Sequence, residues 1–233
     1  MSIAEIFTPL DLAAFAYFLV VIGIYRYLCG PRALEGRSMP GAVQAQRARW
    51  MANMAARAEH RTLDVILLNN IAQGNAFFAS TTALVIGGMA TVMGSGDRAQ
   101  AALERLPFAA LANPILWELK LLTIMVIFVF AFFKFAWAFR LGHYTAIMIG
   151  ATPLLIQGDN EGKAACDNHA GRTARLAGLS AEHTSSGLRA FYYAIAVLAW
   201  FYHPVAFILA TTWVIAILAR RDYFSRSLAV IRG

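Results

Sequence analysis

The stretch AVQAQRARWMANMAARAEHRTLDVILLNNIAQGNAFFASTTALVIGGMATVM, residues 42–93, decides the fold. It contains no proline, and its character changes partway along. Residues 42–61 are rich in Ala, Gln, Met and Arg, good helix formers that leave a helix partly solvated. From residue 71 to 93 the chain is apolar for about 22 residues, enough at 1.5 Å per residue to cross a hydrocarbon core of about 30 Å. The simplest reading is one continuous helix, half in water and half in lipid.

Composition agrees with that reading. Hydrophobic residues make up 59% of the chain and charged residues 14%, with a mean hydropathy of +0.57. That is the balance of an integral membrane protein and not of a soluble domain. The net charge of +7 does not call for nucleic acid, because the basic residues flank apolar spans, where topology and anionic lipid account for them. Cys29 and Cys166 match neither a metal spacing nor a disulfide framework and are expected as free thiols.

Working outward, residues 1–9 carry no Lys or Arg and no convincing cleavage site, so a signal peptide is not expected. Residues 10–28 form a first span, with Asp11 at its mouth. A linker with Gly30, Pro31, Gly36, Pro40 and Gly41 turns the chain back. The second span, 70–93, ends at Gly94, Ser95 and Gly96, and a short helix is expected near residues 99–106. The third span, 115–141, is aromatic, with Glu118 and Lys120 at its start, Lys134 within it and Arg140 at its end. Residues 157–187 read as a helix-prone extramembrane excursion. The fourth span, 189–219, is interrupted by Pro204, which frees a backbone carbonyl for a partner inside the bundle.

The expected fold class is therefore an all-α membrane protein with four transmembrane helices, the second and third extended into the cytoplasm. Arg32, Arg37, Arg47, Arg49, Arg57 and Arg61 in the first loop and Lys163, Arg172, Arg175 and Arg189 in the third place segments 29–69 and 142–188 in the cytoplasm and both termini outside. The tail residues Arg220, Arg221, Arg226 and Arg232 disagree with that topology. A multi-pass protein of a bacterial inner membrane is expected.

Small residues recur at intervals of three or four along the second span: Ala72, Ala76, Ala79, Ala83, Gly87, Ala90 and Gly94. Ala196, Ala199, Ala206 and Ala210 repeat the pattern in the fourth span, with His203 in line, and Ala13, Ala16, Val20 and Gly23 do so weakly in the first. Such seams let helices approach closely in lipid, where no hydrophobic force drives them together.

Polar residues inside the spans are the functional leads. Asn70, Gln73, Asn75 and Ser80 make one half of the second span polar, which fits interhelical hydrogen bonding, worth about 0.6 kcal/mol per contact, or a hydrated solute path. Lys134 either snorkels to the interface or serves a buried ion site. His203, beside Pro204, is a titrating group, a haem ligand or a polar partner for the kinked backbone. No second histidine at matching depth completes a haem site. Glu59, His60 and Asp64 have metal-ligand spacing but too few ligands. No cofactor, metal or enzymatic motif is expected. Arg47, Arg49, Trp50, Arg57 and Arg61 form a basic half-helix suited to a partner protein or anionic lipid.

The run Arg49, Trp50, Met51 through Leu67, Leu68, Asn69, Asn70 to Ala79, Ser80, Thr81 resembles the central signature of the Domain of Unknown Function 599 family of integral membrane proteins. Gly187, Leu188, Arg189, Ala190, Phe191, Tyr192, Tyr193, Ala194, then Trp200, His203, Pro204 and Arg220, Arg221, Asp222, Tyr223 are similar to its last helix, and Lys120, Arg140 and His143 fit its third. Ser185 and Ser186 stand where the family pattern has Asn. The resemblance implies a four-span fold and supplies no activity. The functional expectation is an oligomeric channel or transporter for a small ion or solute. The alternative is an accessory or scaffolding subunit of a larger membrane complex, docking through the basic half-helix. The bilayer and other copies of the chain are the expected partners.

Overall fold

The computed structural model describes residues 7–29, 38–57, 61–95, 114–154 and 160–232. The described residues form helices α1 (Pro9–Cys29), α2 (Met39–Ala56), α3 (Arg61–Gly94), α4 (Pro114–Gly150), α5 (Asn160–Leu198), α6 (Pro204–Tyr223) and α7 (Arg226–Arg232), with a 3-10 turn at Ala199–Phe201. The helix expected near residues 99–106, Arg32, Arg37, Glu59 and His60 lie outside the described residues, and so does the side chain of Cys29. Four stretches are long and apolar enough to cross a membrane: Pro9–Tyr27, Arg61–Gly94, Pro114–Gly150 and Pro204–Arg232. The architecture is compatible with a multi-pass membrane protein.

The helices build two compact units. One comprises Met1–Gly30, Ser80–Phe132 and Leu188–Arg221; the other comprises Pro31–Ala79, Phe133–Gly187 and Asp222–Gly233. We call them the first and second units.

In the second unit the expected continuous helix over residues 42–93 is broken. Ser38 caps α2 by accepting from the Gly41 N–H, proline sits in its first turn, and Arg57 ends it in an extended conformation, φ −89° and ψ 132°. No proline or glycine causes the break. The cause is burial: Met51, Met54 and Ala55 of α2 pack with Leu68, Ile149, Cys166, Ala170 and Ala174 from three other helices. The Trp50 indole N–H also donates to Asp64 at 2.6 Å. Fourteen residues of unbroken helix would set those two about 21 Å apart. Cys166 is a buried free thiol, its Sγ 3.5 Å from the Ala55 carbonyl.

Close helix contact in this unit falls at a few small residues. A Cβ on Gly142 would lie 3.0 Å from the Ala72 Cβ, and one on Gly187 would lie 2.7 Å from the Phe135 ring. The seam of the second span is therefore packed at Ala72 and half-buried at Ala76 and Ala79, but Ala83, Gly87, Ala90 and Gly94 are exposed. The first-span seam faces outward as well: Ala13, Ala16, Val20 and Gly23 are exposed, and α1 instead buries Asp11, Ala14, Phe18 and Tyr25.

In the first unit the stretch 189–219, expected as one proline-interrupted span, is a helical hairpin. α5 ends at Leu198, the 3-10 turn reverses the chain, and α6 runs back. Tyr192 and Phe207 show the reversal. The Arg221 guanidinium lies 5.5 Å over the Tyr192 ring, and Phe207 stacks on Trp200 at 5.1 Å. Among the described residues, parts of five helices, α1, α3, α4, α5 and α6, fall in this unit. The C-terminal α7 packs on α2 in the second unit, and Gln46 Nε2 donates to the Ile231 carbonyl at 3.0 Å.

Candidate functional site

The sequence candidates on α3 separate by helix face. Asn75 is buried at 2% exposure, and its Oδ1 accepts the Thr184 hydroxyl at 2.7 Å. Asn70, Gln73 and Ser80 are exposed. Residues seven apart on a helix share a face. Gln73, Ser80, Gly87 and Gly94 follow that spacing, and all four are exposed. Asn75 is therefore a packing contact, whereas the other three polar candidates lie on a helix with almost no buried residues in its apolar window.

Lys134 is half-buried and its charge acts on His183 of α5, in the same unit. Burial, that charge and, in opposition, Glu182 together hold the His183 pKa below its ordinary value. The His183 Nδ1 atom is buried with no hydrogen-bond partner among the described residues. His203 is exposed, and its Nδ1 accepts the Val205 N–H at 3.2 Å. It caps α6 as an N-cap residue does, so the histidine serves the backbone that Pro204 interrupts.

The basic half-helix is largely committed to holding the fold. One Arg57 nitrogen bonds both oxygens of Asp64 at 2.9 Å, and Asp64 is only 3% exposed. Arg61 donates to the carbonyls of Thr152 and Pro153. Trp50 is the other donor to Asp64. Asp64, read from sequence as one of three weak metal-ligand candidates, is fully engaged by these two side chains. Arg47 bonds Gln44 at 3.4 Å, and burial lowers its pKa from the ordinary value. Arg49 is exposed. The structure thus gathers Trp50, Arg57 and Asp64 at the break between α2 and α3.

A second polar cluster, in the first unit, was missed as a cluster. Asp11, Lys120 and Trp200 are 3%, 5% and 2% exposed. Trp200 Nε1 donates to Asp11 Oδ1 at 2.7 Å. Asp11 Oδ2 takes the Thr8 hydroxyl at 2.6 Å, and Asp11 N donates to Thr8 Oγ1 at 3.1 Å, a reciprocal cap on α1. Lys120 Nζ donates to the Trp200 carbonyl at 2.9 Å and lies 5.3 Å from the Trp200 ring centroid and 5.9 Å from that of Phe201.

The reason for the lysine contact is in the sequence. The Trp200 carbonyl would accept from the N–H four residues on, but that residue is Pro204, which has none. Lys120 supplies the missing donor. Phe15 and Phe207 both stack on Trp200, with ring centroids 5.5 and 5.1 Å from it. Each residue was visible separately, as an acid at a span mouth, a lysine at a span start and a proline freeing a carbonyl. Only the hairpin brings them together.

No curated protein and no solved structure matches this chain. A family model does match it, from residue 13 to residue 227, taking in α1 through the start of α7. The chain belongs to the family described as "Protein of unknown function, DUF599".

Proposed function

We propose that this protein is a homo-oligomeric membrane protein that gives a small ion or solute a path across the bilayer, with the exposed polar face of α3 turned toward neighbouring copies. The observation that carries the reading is the register of Gln73, Ser80, Gly87 and Gly94, seven apart and all exposed on a helix otherwise fit for lipid. Amide and hydroxyl side chains at membrane depth persist where they bond one another or meet water. Small residues at heptad spacing favour close helix pairing with a crossing angle of about 20°. Asn70, Gln73 and Ser80 then line the path, and Lys134 is its charged element. The half-helix arginines favour this reading over docking to a larger complex, because Arg57 and Arg61 already hold the break between α2 and α3.

The test is oligomeric state followed by flux in reconstituted vesicles. Gly87→Leu is expected to dissociate the assembly, and Gln73→Leu and Lys134→Met to change flux or ion selectivity in the intact one. A wild-type protein that is monomeric in native lipid would overturn the shared path. Unchanged flux in Lys134→Met would remove that lysine from it.

A further inference from the structure

One cation of the second unit lies on a core-facing side of its helix with no anion to meet it among the described residues. Arg47 precedes Met51 by four residues and Met54 by seven, so it shares their face of α2. Both methionines are fully buried, and Arg47 itself is half-buried. Among the described residues its side chain makes one hydrogen bond, to Gln44 Oε1 at 3.4 Å. That is a long bond, and its acceptor is a neutral amide. A guanidinium carries five N–H donors and a full charge, so most of both is left unanswered.

The imbalance is local to this level of the unit. α2 and α5 run antiparallel, since Gln44 Nε2 donates to the Ala174 carbonyl at 3.0 Å while the Ala55 carbonyl lies 3.5 Å from Cys166 Sγ. Arg47, one turn past Gln44, therefore lies opposite about residue 173 of α5. Arg172 and Arg175 flank that level and are exposed; the exposed acids Asp167 and Glu182 are about 9 and 13 Å away along the axis, and Glu161 is farther. α2 contains no carboxylate, Asp64 is taken up by Arg57 and Trp50, and Asp222 has a partner of its own. Burial lowers the pKa of Arg47, and no carboxylate opposes it. Gln44 is meanwhile fixed in place, its amide lying against Gly178, where a Cβ would come within 2.5 Å of the amide oxygen. That oxygen takes one N–H and orients the guanidinium. The remaining donors form the planar fork that an oxyanion fits through paired N–H···O bonds.

We propose that Arg47 is the contact residue of an oxyanion site in the second unit that takes a phosphate group, with Gln44 as its positioning residue and Arg172 and Arg175 adding positive potential at the same level. A free phosphate and the phosphate of an anionic lipid share that chemistry. The site is independent of the solute path.

The experiment uses the full chain in a mild detergent, exchanged into chloride buffer, and reads melting temperature as sodium phosphate replaces chloride at constant ionic strength. The wild type is expected to gain several degrees and then saturate, as binding to the folded state requires. Arg47→Met is expected to keep only the gradual rise that an excluded salt gives any protein. In chloride it is expected to melt no lower than the wild type, because a cation without a counter-ion gives way to an apolar side chain. A merely structural arginine would show the reverse, a lower baseline with the saturating gain retained. Arg49→Gln, exposed on the other side of α2, is expected to keep the gain. If Arg47→Met does not fold, Arg47→Lys carries the test: the charge stays, the fork is lost, and the phosphate midpoint is expected to rise about fivefold. A parallel titration with phosphatidylglycerol against phosphatidylcholine separates the two sources. A gain with phosphatidylglycerol and none with inorganic phosphate, lost or weakened in the Arg47 variant, assigns the site to a lipid phosphate. No saturating gain with either probe, or the same gain in the wild type and the Arg47 variant, would overturn the proposal. Flux is not the readout, so failure here leaves the solute path standing, and failure of the path leaves this site standing.

Discussion

The two units break their helices with the same three kinds of residue. At the α2 to α3 break, a tryptophan indole and an arginine converge on buried Asp64. At the α5 to α6 turn, a tryptophan indole reaches buried Asp11, and a lysine completes the group. The difference lies in what the cation satisfies. Arg57 bonds the carboxylate directly and is 45% exposed. Lys120 is buried and bonds a backbone carbonyl that Pro204 leaves without a donor. The first break is imposed by side chains on a sequence that would otherwise stay helical. The second is written into the chain by proline and then secured by side chains.

Removing the buried partners in the first unit has the largest expected effect. Asp11→Ala takes the acceptor from the buried Trp200 indole and removes the reciprocal cap on α1; it is expected to cost about 2–4 kcal/mol. Lys120→Met is expected to cost about 1–3 kcal/mol by leaving the Trp200 carbonyl unsatisfied. The sharper experiment is Pro204→Ala in the Lys120→Met background, since a restored N–H at 204 should recover part of the loss. Denaturant unfolding in detergent reads all three. Recovery no greater in that background than in the wild type would detach Lys120 from the proline.

Next in size is the packing contrast within α3 and α5. Gly187→Ala pushes a methyl into the Phe135 ring and is expected to cost about 1–3 kcal/mol. Gly74→Ala meets nothing within 4 Å among the described residues and is expected to be neutral, or to stabilise the helix by up to about 1 kcal/mol. Equal melting temperatures for the two variants would contradict the assignment of packed and unpacked positions.

A smaller effect is expected at the other break. Asp64→Asn keeps an acceptor for Trp50 and loses the charge that holds Arg57, costing about 1–2 kcal/mol because Arg57 is partly solvated. A loss as large as that of Asp11→Ala would erase the distinction between the two breaks.

The smallest effect is a pH dependence in the second unit. Burial, reinforced by Lys134 and opposed by Glu182, holds the folded-state pKa of His183 below its ordinary value of 6.5. The unfolded chain therefore binds more protons in this range. The stability is intact above about 6.5 and is lost as pH falls toward the folded value. Melting temperature measured from pH 7.5 down to 5.5 is expected to decline less in His183→Gln than in the wild type. Parallel curves would show that the histidine is not coupled to folding.

Much of the fold was legible because its signals are local. The lengths of the apolar runs, the helix-forming composition of residues 42–61 and the carbonyl freed by Pro204 all follow from neighbours in the chain. The break at Arg57 was not legible, because no turn residue marks it and the forces that make it act across fourteen residues and several helices. The hairpin at residues 199–203 was half legible. Proline announced an interruption, but its angle depends on what Lys120 and Asp11 hold. The candidate polar residues of α3 were likewise visible as a set, yet their division into a packed Asn75 and exposed Asn70, Gln73 and Ser80 is a property of the faces that neighbouring helices cover.

Sequence by itself determined that the chain is helical, apolar enough to enter a bilayer in four stretches, and rich in arginine next to them. These are consequences of composition and of periods within one helix, which every residue carries with it. Tertiary structure alone decided where the helices stop, which small residues are touched, and that the C-terminal helix joins α2. Those outcomes depend on which buried polar groups find partners, and a partner distant in sequence leaves no mark on the residues around it.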